Sequence, residues 1–378
     1  MNTESNGSRI KVLIVDDSAF MRTALSRMVA HDPGLWVIGT AASGIEALQK
    51  IVALDPDVIT LDVEMPGLDG LETLRRIMAQ FPRPVIMVSS ATLRHAEITF
   101  NALAAGAFDY VPKELSAASL DIWHIQEDLV AKIKAAAESW LSRNHLNRLR
   151  KPPRAATLPG ADLLKNNLLW NGLPRTEIEH CAPAIVALGT STGGPRALQE
   201  ILPALPVDLA VPILIVQHMP PGFTAPFAKR LNDLCAVSVR EASHGDTVEA
   251  GVVYIAPAGF HMTVECTANS RTIISLSGPV ENQAHIPSVD VTMQSVASAF
   301  HSQAMGIIMT GMGSDGAQGM NAIHREGGFT VGQDQPTCAV YGMPRVCAEM
   351  GILDRIVPLS EIPQEILQAT RYRKTNVV

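Results

Sequence analysis

Twice along this chain, short runs rich in Val and Ile alternate with helix-patterned segments. In the first half the runs are IKVLIV from Ile10, LWVIGTA from Leu35, VITLD from Val58, PVIMVSS from Pro84 and FDYVPK from Phe108. Between them lie stretches such as SAFMRTALSRMVA from Ser18 and GIEALQKIVAL from Gly44. In the second half the runs are AIVALG from Ala184, PILIVQH from Pro212, VVYIAP from Val252, MGIIMTG from Met305 and FTVGQD from Phe329. Helical segments begin there at Gly194, Ser288 and Asp315. Strands that are apolar on both faces belong in parallel sheets covered by helices. Both halves therefore read as α/β, with right-handed crossovers. The stretch from Met262 to Gly278 reads as a β-hairpin inserted in the second unit.

Between the two halves the pattern changes. DLVAKIKAAAESWL from Asp128 is helical, and KPPRAATLPGADLLKNNLLWNGLPR from Lys151 breaks all periodicity with prolines and glycines. We expect one domain over 9–128, a helical extension and linker over 129–182, and a second domain over 183–372. A chain of 378 residues suffices for two such cores. The basic cluster Arg148, Arg150, Lys151 and Arg154 reads as a solvated tether.

Composition excludes several classes. Net charge is −7, which gives no basic field for nucleic acid. No apolar run is long enough to span a membrane, and the polar start lacks the apolar core of a secretory signal. The five cysteines (Cys181, Cys235, Cys266, Cys338, Cys347) form no CxxC pair and read as free thiols in a reducing cytoplasm.

Ligand sites in open parallel sheets form at the carboxyl ends of strands. In the first unit Asp16 and Asp17 follow the first strand, Asp62 ends the third, Ser89 comes late in the fourth and Lys113 ends the fifth. Three clustered carboxylates repel one another, and a hard divalent cation such as Mg²⁺ relieves that repulsion. A carboxylate there could accept a phosphoryl group, with lysine and metal stabilising the transfer. An Asp-Asp pair alone could equally be a helix cap; all these positions at one sheet edge argue for a site.

In the second unit GTSTGG from Gly189 follows a strand and opens a helix, as a nucleophile elbow requires. A phosphate cradle is the rival, but no Walker lysine follows the glycines and GxGxxG is not matched. His218 ends the second strand of this unit, and Asp315 lies in the loop GMGSDG from Gly311. Ser191, His218 and Asp315 thus all fall at strand carboxyl ends, the disposition a nucleophile, base and orienting acid need. The chain order differs from that of α/β-hydrolases. His244 and His261 lie near turns, and His285 precedes IPSVD; a metal site from His244 and His261 lacks supporting spacing.

Residues 9–128, with LDVEMPGLDG from Leu61, resemble the response-regulator receiver domain. The resemblance implies that Asp62 accepts the phosphoryl group and that Asp17, Asp62 and the Glu64 carbonyl hold Mg²⁺, supported by Asp16. It also implies that Ser89, Tyr110 and Lys113 are switch residues. Glu114 stands where that family often has proline. The region from 183 onward, with HIPSVD from His285 and VYGMPRVCAEMG from Val340, resembles the chemotaxis methylesterases of the CheB family. That implies a Rossmann-like α/β domain with Ser191, His218 and Asp315 as catalytic triad, and Thr192 and Met312 beside the oxyanion. Thr190 and Ser314 differ from the family's usual alanine and asparagine.

The expected activity is hydrolysis of glutamate γ-methyl esters on chemoreceptors, with deamidation of receptor glutamines. No cofactor is expected for ester hydrolysis. A chemotaxis histidine kinase is the expected phosphodonor, and the unphosphorylated receiver is expected to cover the catalytic cleft. The rival from another class is a non-enzymatic response regulator whose second domain only binds protein; intact triad residues argue against it. A DNA-binding output is less compatible still, because no basic face stands out.

Overall fold

The computed structural model describes residues 9–90, 93–113, 119–150, 181–267, 269, 271–279 and 285–371. Glu114 and the linker over 151–180, with Lys151 and Arg154, lie outside these, as do the side chains of Arg148 and Arg150.

The first unit runs β1 (Ile10–Val15), α1 (Ala19–Ala30), β2 (Leu35–Ala41), α2 (Gly44–Leu54), β3 (Val58–Asp62), α3 (Gly70–Gln80), β4 (Val85–Ser89), α4 (Leu93–Ala104), β5 (Asp109–Pro112) and α5 (Ser119–Arg150). The five strands form one parallel sheet in the order β2-β1-β3-β4-β5. All five expected strands are present. The central strands β3 and β4 are buried along their full length, which is why their sequences are nearly unbroken apolar runs. Helices start where the sequence supplies caps: Ser18 accepts from Met21 N–H, Ser43 from Glu46 N–H and Asp69 from Glu72 N–H. The strand order reverses between β1 and β3, so Asp16, Asp17 and Asp62 converge on that crevice.

The expected boundary at residue 128 falls inside α5. Leu129, Ile133, Ala136 and Ala137 pack with Val12, Ile14 and Val58 in one apolar cluster. Apolar side chains at helical spacing on that face belong to the first domain's core, so the helix continues well past 128.

The second unit runs β6 (Ile185–Thr190), α6 (Gly194–Ile201), β7 (Ile213–Gln217), α7 (Thr224–Leu234), β8 (Ser238–Glu241), β9 (Val252–Ile255), β10 (His261–Cys266), β11 (Thr272–Ser277), α8 (Val289–Phe300), β12 (Ala304–Ile308), α9 (Ala317–Arg325), β13 (Phe329–Gln333), α10 (Met343–Glu349), β14 (Arg355–Val357) and α11 (Ile362–Arg371). Seven parallel strands lie in the order β14-β13-β12-β6-β7-β9-β8. The hairpin β10–β11 is antiparallel and separate, as expected. Two edge strands, β8 and β14, escaped the sequence reading: SVRE and RIV are short, charged and partly exposed.

The two units share an apolar core. Helix α4 packs on α6 and α7. Phe100 of α4 sits 5.0 Å from Phe227 and 6.3 Å, edge-on, from Phe223 of the second unit. Tyr110 of β5 lies 4.8 Å from Phe223. Aromatic pairs at such separations contribute beyond the area they bury.

Gly70 shows how tightly the loop after Asp62 is held. A Cβ at Gly70 would lie 2.0 Å from the Asp62 carbonyl oxygen and 2.8 Å from Val63 Cα. Backbone cannot yield as a side-chain tip can. Gly70→Ala should therefore destabilise the protein by about 1–3 kcal/mol, measured by chemical denaturation. An unchanged midpoint would show that this approach is not a constraint.

Candidate active site

Strand β6 delivers Thr190 and Ser191 to the carboxyl edge of the sheet. The turn is held from the segment just after β12: Ser191 N–H donates to Thr310 O at 3.0 Å, and the Thr190 hydroxyl donates to the same oxygen at 2.8 Å. Gly194 N–H donates back to Ser191 O at 2.8 Å. Gly193 supplies the tight turn: it is left-handed (φ 79°), and a Cβ there would meet Ala339 Cβ at 2.4 Å. Two glycines after Ser191 absorb the bend, so the serine keeps ordinary backbone angles. Gly311 comes equally close from the other side: a Cβ on it would lie 2.9 Å from Ser191 Cβ. Met312 follows it directly, and Thr192 is buried next to Ser191. That brings together the positions expected beside the oxyanion.

His218 follows β7 and Asp315 follows β12. His218 Nε2 is 2.8 Å from Asp315 Oδ2. The carboxylate has further donors: Val289 N–H at 2.8 Å on Oδ2, and Ser288 Oγ at 2.9 Å and Asp290 N–H at 3.0 Å on Oδ1. These come from the start of α8, where unpaired N–H groups and the helix dipole favour negative charge. Burial opposes ionisation, yet the bond to His218 and the backbone N–H groups hold this carboxyl well below the usual carboxylate range. Sequence reasoning missed Ser288 as a partner of Asp315; a serine capping a helical run after HIP was its only trace.

With Nε2 on Asp315, the free base nitrogen is Nδ1, which is buried without a hydrogen-bond partner. The serine–histidine bond is thus unmade here, as is common for catalytic pairs before substrate binds. The ring face of His218 is stacked by His285 at 4.3 Å between centroids and 17° between planes. Partial desolvation, then the neighbouring His218, lowers the His285 pKa.

Ser191, Thr192, His218 and His285 line a cavity of about 440 Å³ whose other wall belongs to the first unit: Tyr110, Ile125, Asp128 and Lys132. Tyr110 is buried at this junction with its hydroxyl unpaired. Lys132 Nζ donates to the Tyr110 carbonyl at 2.7 Å and to Asp128 at 2.8 Å, and lies 4.0 Å from Asp109. Burial raises the Asp109 pKa, and Lys132 opposes that.

The acidic pocket of the first unit has the expected members. Asp16, Asp17 and Asp62 present ligand oxygens within 4.8 Å of one another. Lys113 Nζ bridges Asp62 at 2.6 Å and Asp16 at 3.0 Å, and Glu64 N–H donates to Asp62 at 3.1 Å. Burial, with some help from Asp16, raises the Asp62 pKa against the pull of Lys113. Ser89 closes β4 and accepts from Thr99 Oγ1 at 2.9 Å. All-oxygen donors with several carboxylates suit a hard divalent cation.

Other candidates recede. His244 Nδ1 accepts from Leu276 N–H and His261 Nδ1 from Ser288 N–H; among the described residues neither joins a metal-ligand cluster. None of the five cysteines forms a disulfide, and burial pushes the Cys235 and Cys347 thiols up to about 11 and about 12. Such thiols are poor nucleophiles.

Folding depresses the Asp315 pKa. Its stabilising contribution is therefore complete above the unfolded-chain value near ~4 and fades as pH falls below it. Asp315→Asn should cost about 2 kcal/mol at pH 7, and the gap to wild type should narrow below pH ~4. Unfolding midpoints at both pH values test this; a gap independent of pH would show that the charge is not responsible.

Residues 186–366 match the CheB methylesterase family and residues 12–122 the response regulator receiver domain. The protein-glutamate methylesterase/protein-glutamine glutaminase of Symbiobacterium thermophilum is 45% identical over 95% of this chain and 97% of its own. The protein of the same name from Pyrococcus horikoshii is 42% identical over 96% and 94%. The crystal structure of the Thermotoga maritima CheB methylesterase catalytic domain covers 50% of this chain and 99% of its own, at 38% identity and a TM-score of 0.48. With identity of this order along almost its full length, the chain belongs to the protein-glutamate methylesterase/protein-glutamine glutaminase family, joining a receiver domain to a CheB methylesterase domain.

Proposed function

We propose that this chain is a phosphorylation-controlled serine hydrolase that removes methyl groups from glutamate γ-esters of chemoreceptors and deamidates receptor glutamines. The observation that carries it is the Asp315–His218 bond of 2.8 Å, placed with Ser191 at the carboxyl edge of adjacent parallel strands. Ser191 Oγ attacks the ester carbonyl and His218 Nδ1 takes its proton. The N–H groups at Thr192 and around Met312 receive the developing oxyanion. Collapse expels methanol, protonated by His218, and water then releases the glutamate by the same steps in reverse roles. With a glutamine, ammonia leaves instead. Asp315 holds the ring in the tautomer that leaves Nδ1 free and stabilises the imidazolium.

The receiver supplies control. Asp62 accepts the phosphoryl group from a chemotaxis histidine kinase in the cytoplasm. Asp17, Asp62 and the Glu64 carbonyl, supported by Asp16, would hold Mg²⁺, which supplies charge neutralisation at the transferring phosphoryl. Lys113 stabilises that group, and Ser89 and Tyr110 carry the change toward the second domain. Support for masking comes from the cavity wall, where receiver residues face Ser191 and His218.

Ser191→Ala should fold normally yet lose about three orders of magnitude or more in methanol release from methylated receptor membranes. Near-normal release by the folded variant would remove Ser191 from the mechanism. Deleting residues 1–150 should raise the basal rate, while Asp62→Asn should hold the full chain at its basal rate even with a small-molecule phosphodonor. A truncation no faster than the unphosphorylated full chain would mean that the receiver acts other than by masking.

A further inference from the structure

Gln217 is the last residue of β7, where the parallel ladder between β6 and β7 runs out. Thr190 and Gln217 are its final register partners, and His218 N–H still reaches Thr190 O at 3.2 Å. Beyond that point the chains part, one turning into Ser191 and the other into the His218 loop. The Gln217 side chain spans the gap. Its Nε2 donates to Ser191 O at 3.0 Å and to His218 O at 2.9 Å. A primary amide has two N–H donors, and both are engaged.

The other half of the amide is left without a partner. Oε1 is buried and accepts no hydrogen bond, in a residue only 2% exposed. It is packed against the nucleophile turn, since a Cβ on Gly194 would lie 2.0 Å from it. A buried acceptor with nothing to accept is destabilising, and a methionine would fill similar space without that cost. The two donated bonds offset that cost, and both of them tie backbone on either side of the gap. Among the described residues the His218 N–H bond to Thr190 O joins the strands just before the turns; at the side chains, Asp315 grips His218 at Nε2 and Nδ1 has no partner.

We infer that Gln217 is a positioning residue of the esterase, its amide fixing the Ser191 backbone against the His218 backbone so that hydroxyl and imidazole close correctly on substrate. The inference rests on the triad reading above. It acts through two other residues, so it should appear in turnover and not in substrate affinity. Misplacement of reacting groups by about 1 Å costs roughly 100-fold in rate.

The test uses the full chain with a small-molecule phosphodonor and methylated receptor membranes. Gln217→Met removes two hydrogen bonds and one unpaired acceptor, which offset, so the thermal midpoint should move by no more than about 4 °C while kcat falls about 10- to 100-fold and KM stays within about threefold. The rate at which a fluorophosphonate labels Ser191 should fall in parallel. Gln217→Glu keeps the shape but turns a carboxylate oxygen toward two carbonyls, and should lose at least as much turnover. Wild-type kcat in Gln217→Met would overturn the inference. So would a loss of kcat that tracks a loss of thermal stability, which marks a structural role only. Ser191→Ala is assayed alongside: activity there would sink the triad reading itself, whereas an inactive Ser191→Ala with a normal Gln217→Met would sink only the role of Gln217.

Discussion

A carboxylate taken out of water needs compensation, and the placement of Asp315 depends on how it is found. Its two oxygens collect two backbone N–H groups, a serine hydroxyl and an imidazole. Three of those four donors belong to the first turn of α8 and its cap. The helix that follows HIPSVD is therefore part of the site, because without its N-terminus the charge would be costly to bury. That same charge orients His218, whose ring is also stacked by His285. Imidazole orientation is thus overdetermined on the acid side and open toward the serine.

The nucleophile side is organised by backbone more than by side-chain charge. Thr310 acts as a hub: its carbonyl takes Ser191 N–H and the Thr190 hydroxyl, its own hydroxyl donates to Thr192 O at 2.9 Å, and its N–H donates to Gln333 Oε1 at 2.8 Å. Glycines 193, 194 and 311 let these segments approach within distances that a Cβ would forbid. Thr190 fits the same scheme by adding a bond to the hub.

Much of this was legible in the sequence, and what was not has physical reasons. Strands buried on both faces announce themselves as apolar runs, so the central sheets and the residues at their ends could be placed. That is why Ser191, His218 and Asp315 could be grouped, and likewise Asp16, Asp62 and Lys113. Edge strands such as SVRE carry no such pattern, because one side faces solvent. The helix was legible across residue 128, because α5 keeps its periodicity without a breaker; that its continuation packs into the first unit's core was not. Gln217 and Ser288 were invisible as site residues because nothing in a linear pattern says which carbonyl or carboxylate a polar side chain will meet.

The rings that join the two domains carry a thermal consequence. Phe100, Phe223 and Phe227 are fully buried and meet one another across the boundary between receiver and esterase. In the masking arrangement proposed here, parting the domains wets these rings, and wetting apolar surface raises heat capacity. Apolar association weakens on cooling. The latch between the domains should therefore be looser in the cold, and the leak through an unphosphorylated enzyme becomes a function of temperature as well as of signal.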